Sequence, residues 1–244
     1  MHDTPNDSNF ISGIYNFCDR WCERCPLTSR CRVFAEERAS PVYDDSLEIG
    51  EVVQKLTEIF AEAKQMLIDK AEELGIDPFA ISDEEFAEIR ERERKFVDED
   101  DLSRLGETYW RSAKEILDGF DGEQESLYGG DPLFSEAIAT LSWYLFFIPV
   151  RVKSGLHALL DEEGFEDKDH RLDPQSYANG TVKTALLAVE RSIIAWKHFA
   201  NIVDVGRLSS IIELLETIRA HLETRFPMAR DFVRPGFDEF ETVM

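Results

Sequence analysis

Between Ile49 and Phe226 the apolar residues recur at intervals of three and four, and that period confines the chain to helices packed on helices. The first stripe is Val52, Val53, Leu56, Ile59, Phe60, Ala63, Leu67, Ala71 and Leu74, a helix of about seven or eight turns. Asp45 or Ser46 is placed to cap its start, Gly75 its end, and Pro78 closes the exit. Ser82 and Glu85 form a capping box ahead of a charged helix running to Lys95. After an acidic hinge, Asp98 to Asp101, the residues Leu102, Leu105, Tyr109, Ala113, Ile116 and Leu117 mark another helix, ending at Gly119 and followed by a glycine-rich loop to Gly130.

Asp131-Pro132 opens the most apolar stretch, in which Glu136 is the only charged residue from Leu133 to Val150. Such a run raises the question of a membrane span. Glu136 near one end, Pro149 and Arg151 interrupting the other, and the amphipathic continuation through Leu156, Leu159 and Leu160 favour a core helix. Asp173-Pro174 repeats the same opening, because proline loses nothing in a first turn. Behind it come Val182, Ala185, Leu186, Val189, Ile193, Trp196 and Ala200 as a second stripe expected to be buried, with small residues at 185, 188, 192 and 195 for close helix approach. Leu208 to Phe226 is a last helix stopped by Pro227. No alternating run of strand length survives this reading. The expected architecture is an all-α, multi-helix bundle over residues 46–244 with a small cysteine-bearing amino-terminal lobe over residues 1–45.

The four cysteines of the 244 residues all lie in that lobe, as Cys18-x3-Cys22-x2-Cys25-x5-Cys31. The amino terminus has neither a basic start nor an apolar signal core, which points to a reducing cytoplasmic location, where clustered thiols bind metal more often than they form disulfides. Successive helical residues turn by about 100°, so a helix over Cys18–Cys25 would bring Cys18, Cys22 and Cys25 within about 60° of one another. Pro26 ends such a helix and the loop to Arg30 swings Cys31 back as a fourth ligand. Zinc and iron-sulfur centres both accept four thiolates. Structural zinc sites commonly use two Cys-x2-Cys pairs far apart in sequence, so crowding into one short stretch favours a [4Fe-4S] cluster and leaves zinc as the alternative. Arg20, Arg24, Arg30, Arg32 and Arg38 make the segment slightly basic on an acidic body, suited to offsetting a thiolate-bound centre or simply a solvated mixture of charges.

The spacing resembles the His-x3-Cys-x2-Cys-x5-Cys ligand run of a [4Fe-4S] site in the large iron-sulfur subunit of respiratory complex I and in iron-only hydrogenases. Cys18 stands at the histidine position and Cys22, Cys25 and Cys31 at the three cysteine positions. The resemblance covers these fourteen residues and implies electron transfer through a cubane. The first two intervals are also similar to the Cys-x3-Cys-x2-Cys of radical S-adenosylmethionine enzymes, whose open iron and β/α barrel this chain, with a fourth nearby cysteine and no strands, does not match.

The helices show no catalytic signature. A carboxylate-bridged di-iron bundle needs Glu-x-x-His on two helices, and none of His157, His198 and His221 has a carboxylate three residues before it. Asp167 and His170 have that spacing but fall in a charged loop. Single histidines are expected on helix surfaces or hydrogen-bonded in the core, and Glu190 is expected at a solvated edge, or paired with Lys183 or Arg191. Phosphate loop, nucleophile elbow and zinc-protease motif are all missing from the sequence. A net charge of -23 argues against wrapping nucleic acid and points to a protein partner. Two functions follow: electron transfer or redox sensing through a [4Fe-4S] lobe, or a zinc-stapled helical scaffold whose acidic surface recognises a cationic protein.

Overall fold

The structure, a computed structural model, describes residues 9–39, 48–75, 77, 80, 82–119, 130–163, 170–202, 206 and 208–238. Seven α-helices occur among them: α1 (Arg32–Ala39), α2 (Ile49–Glu73), α3 (Asp83–Asp98), α4 (Asp101–Asp118), α5 (Pro132–Glu163), α6 (Tyr177–Ile202) and α7 (Leu208–Arg225). The described residues contain no strand, and the all-α bundle is as the periodicity requires. The chain forms two compact units, Met1–Phe10 with Cys25–Arg92 and Ile11–Arg24 with Glu93–Met244. That partition differs from the division at residue 45 expected above.

The larger unit is a ring of four helices, in which α4 packs on α5, α5 on α6, α6 on α7 and α7 back on α4. Its core is drawn from the apolar stripes of all four, with Tyr109, Leu141, Ile148, Val152, Leu156, Val182, Val189, Trp196 and Leu215 at 0% exposure. The α5–α6 contact is the most extensive. Gly155 explains why, since a Cβ there would lie 2.6 Å from Val182 Cγ2, and Ala185, Ala188 and Ser192 carry the same close approach along α6. Pro149 does not interrupt α5, and the expected continuation through Leu156, Leu159 and Leu160 belongs to the same helix. The helix runs through it for 32 residues, and the proline ring is accommodated against Gly106 of α4, where a Cβ would sit 3.3 Å from Pro149 Cα. By length and composition α5 could cross a membrane, yet Phe134, Leu141, Tyr144, Ile148 and Leu156 face the bundle core.

Helix ends follow local chemistry. Asp100 is the N-cap of α4, accepting from Leu102 N at 2.9 Å, so the acidic hinge is a capping turn. Asp131 accepts from Leu133 N at 2.9 Å at the start of α5. Asp173-Pro174 opens its helix differently. Asp173 closes a turn on Gln175 N, and Ser176 is the residue that caps α6, through Asn179 N at 3.2 Å. In the other unit α2 starts at Glu48, whose backbone N donates to Glu51 Oε2 at 3.1 Å. The expected caps Asp45 and Ser46, Pro78, the loop residues 121–129 and Asp167 lie outside the described residues. Gly75, at φ 67°, ends α2 as expected. Ser82 and Glu85 form the expected capping box; the Ser82 backbone and hydroxyl donors hold the Glu85 carboxyl below its usual range.

Candidate metal centre

The segment Ile11–Arg24 belongs to the helical ring and is fastened to it at three levels. At its start, Ile14 and Phe17 are buried. Phe17 packs on Phe232 and Tyr177, with ring centroids 4.5 and 5.4 Å apart. Gly180 makes room, because a Cβ there would come within 2.6 Å of both phenyl rings. Beside this contact Asp238 is held by Arg234 at 2.8 Å and Lys183 at 3.0 Å. Burial alone would raise that carboxyl, but the Arg234 and Lys183 hydrogen bonds outweigh it and hold Asp238 at about 2.

At the second level, Asp19 lies between two cysteines and is gripped from four sides. Its Oδ2 accepts from Tyr144 Oη and from Arg191 Nη1, each at 2.6 Å. Its Oδ1 accepts from Trp21 N at 3.2 Å and its carbonyl from Trp143 Nε1 at 2.9 Å. Burial, together with the Asp19 carboxylate, pushes the Tyr144 phenol up to about 12. Arg191 also bonds Tyr144 Oη at 2.6 Å, so the carboxylate, phenol and guanidinium form a closed triangle. Arg151 adds a bond from Nη2 to the Cys18 carbonyl at 3.2 Å.

At the third level Trp21 stacks on Trp143 at 5.1 Å, meets Tyr144 edge-on, and carries the Arg24 guanidinium 3.7 Å above its ring. Arg24 is also ion-paired with Glu136, the one charged residue of the apolar run. Trp21 and Phe17 thus pack the segment onto the ring.

A continuous helix over Cys18–Cys25 is not what forms. Arg20 sits at φ 59°, in the left-handed region, and the chain proceeds through separate 3-10 turns at Ile14–Asn16, Cys22–Arg24 and Thr28–Arg30. The anchoring of both Asp19 and Trp21 to α5 forces this break, so Cys18, Cys22 and Cys25 do not share one helix face. Backbone turns do the aiming instead. The Arg20 N–H donates to Cys18 Sγ, and the Leu27 N–H donates to Cys25 Sγ at 3.4 Å. Two of the four sulfurs therefore receive the amide two residues on, the polarity that stabilises a thiolate. For Cys18 burial outweighs that bond and the thiol is pushed up.

Cys31 ends one turn, its N–H donating to Thr28 O at 3.2 Å, and begins α1, its carbonyl accepting from Ala35 N at 3.2 Å. All four cysteines are half-buried and none is in a disulfide. The boundary between the compact units passes between Arg24 and Cys25, so Cys18 and Cys22 belong to one unit, Cys25 and Cys31 to the other. Among the described residues no group of three or more His, Cys, Asp or Glu side chains stands in an arrangement that could hold a metal ion.

Asp19, Trp143, Tyr144, Arg151 and Arg191 were not singled out by sequence reasoning as partners of the cysteine segment. Glu190 pairs instead with Arg230 at 2.6 Å, which also holds Glu223 at 2.5 Å, while Lys183 and Arg191 serve Asp238 and Asp19. His157, His198 and His221 are exposed on helix surfaces. Comparison of the chain with protein-family models, with characterised proteins and with solved structures finds no match.

Proposed function

We propose that Cys18, Cys22, Cys25 and Cys31 ligate one [4Fe-4S] cluster, and that the protein transfers single electrons or senses oxidants in the cytoplasm through a protein partner. The observation that carries this reading is the confinement of every cysteine to fourteen residues, on a segment whose turns direct amides at the sulfurs of Cys18 and Cys25. A cluster would supply the one-electron chemistry. The chain's own part is to hold Cys18 and Cys22 against α5 through Asp19 and Trp21 and to exclude water from their side of the centre. Arg20 and Arg151 place positive charge beside Cys18, and amides aimed at sulfur together with cationic neighbours favour the reduced, more negative state.

The test is iron, sulfide and zinc analysis, with a visible spectrum, on full-length protein purified without oxygen. About four irons and four acid-labile sulfides per chain, with a broad band near about 400 nm bleached by dithionite, are expected. One zinc per chain and no visible band would sink the redox reading and favour the metal-stapled scaffold.

A further inference from the structure

The most exposed apolar surface among the described residues belongs to α2. Phe60, Met66 and Leu67 are 71%, 71% and 72% exposed, Val53 and Ile59 57% and 44%, on a helix of 25 residues. Among the described residues no helix of its own unit covers that face. Its spacing is stricter than ordinary amphipathicity. Ile49, Leu56 and Ala63 recur every seven residues, as do Val52, Ile59 and Met66, and again Val53, Phe60, Leu67 and Leu74. A sustained seven-residue repeat is what keeps a helix seam against another helix in a left-handed supercoil. An ordinary core stripe of period 3.6 would drift about 20° per heptad.

We infer that α2 pairs with α2 of a second copy of this chain, antiparallel, to make a homodimer. From Val53 to Asp69 the helix is complementary to its own reverse, and beyond that span Lys70 and Glu73 fall opposite Val52 and Ile49. With the dyad at Ala61, Leu56 meets Met66 of the second copy, Ile59 meets Ala63, Val53 meets Leu67, and the two Phe60 rings meet on the axis. Lys55 then faces Asp69 across the flank, and the dyad repeats that pair. A parallel pairing does the opposite. It sets Lys70 against Lys70 and Glu73 against Glu73 in the seam and gives Lys55 no anion. The antiparallel arrangement leaves one like-charge pair, Glu62 with Glu62 near the axis.

The test is sedimentation equilibrium of the full chain, with a thiol reductant present so that disulfides between chains do not contribute. At about 100 μM the wild type is expected at twice the mass of one chain, a concentration at which a seam of about three heptads associates. Phe60→Glu is expected to sediment as one chain with unchanged helix content by circular dichroism. Lys55→Glu is expected to weaken association about tenfold, and Lys55→Glu with Asp69→Lys to restore it to within about threefold. Glu62→Gln tightens it. A wild type that remains a single chain at that concentration, whether α2 is then covered by its own chain or by a different protein, overturns the inference. So does a Phe60→Glu variant that remains dimeric, or a Lys55→Glu defect that Asp69→Lys does not rescue.

Discussion

Helices α2 and α5 both carry long apolar faces, yet Leu141 of α5 is 0% exposed and Leu67 of α2 72%. The difference lies in what else the chain supplies. Around α5 there are three further helices with matching stripes and with glycine or alanine where backbones must approach. The unit containing α2 offers α1, of eight residues, and the charged first turns of α3. Periodicity states that a face requires cover; it does not state from where the cover comes.

Matched leucine truncations break the comparison most directly. Leu141→Ala is expected to cost about 2–5 kcal/mol, because it leaves a cavity in a close-packed core. Leu67→Ala, in dilute solution where α2 is uncovered, is expected to cost less than about 0.5 kcal/mol. All four tryptophans lie in the larger unit, so urea denaturation followed by tryptophan fluorescence reads that unit alone. Equal shifts from the two variants would mean that α2 is part of the same buried core.

A smaller effect tests how the amino-terminal segment joins the ring. Asp19→Ala removes the acceptor shared by Tyr144 and Arg191 and is expected to cost about 1–3 kcal/mol. Near-ultraviolet circular dichroism should lose the signal of the Trp21–Trp143 stack. Asp19→Asn, which keeps an acceptor, should lose less. An Asp19→Ala variant with unaltered stability and spectrum would show that the aromatic stack alone holds the segment.

The smallest effect is one of pH. Asp238 titrates at about 2 in the folded chain, below the ordinary carboxylate value of 3.8. Its folded pKa is depressed, so its contribution to stability is complete above the unfolded value and is lost as pH falls from 3.8 toward about 2. Asp238→Asn should flatten the stability profile in that window and leave the profile of the α2-bearing unit unchanged, measured by denaturation midpoints at successive pH values.

The helical architecture was legible because it depends on local repetition. Gly75, Gly119 and the Ser82–Glu85 box ended or began helices where the residues indicated, and the α6 stripe is buried from Val182 to Trp196 as its spacing required, while Ala200, one turn further on, is exposed. The packing that accommodates Pro149 within α5 was not legible, because it depends on Gly106, 43 positions earlier on another helix. The cysteine segment was read incorrectly as to its backbone. A helix over Cys18–Cys25 agrees with local propensity, but two anchors on α5 and α6 outweigh it and turn Arg20 into the left-handed region. No pattern within 14 residues can reveal a carboxylate partner 172 positions away.

That distance also sets an order of events. The bonds from Trp143, Tyr144 and Arg191 to Asp19 span 124, 125 and 172 positions, so the loop-closing cost of docking the first turns falls after α5 and most of α6 exist. The segment bearing Cys18 and Cys22 leaves the ribosome before the residues of α5 and α6 that hold it. Cys18 and Cys22 wait, exposed, for anchors made after them.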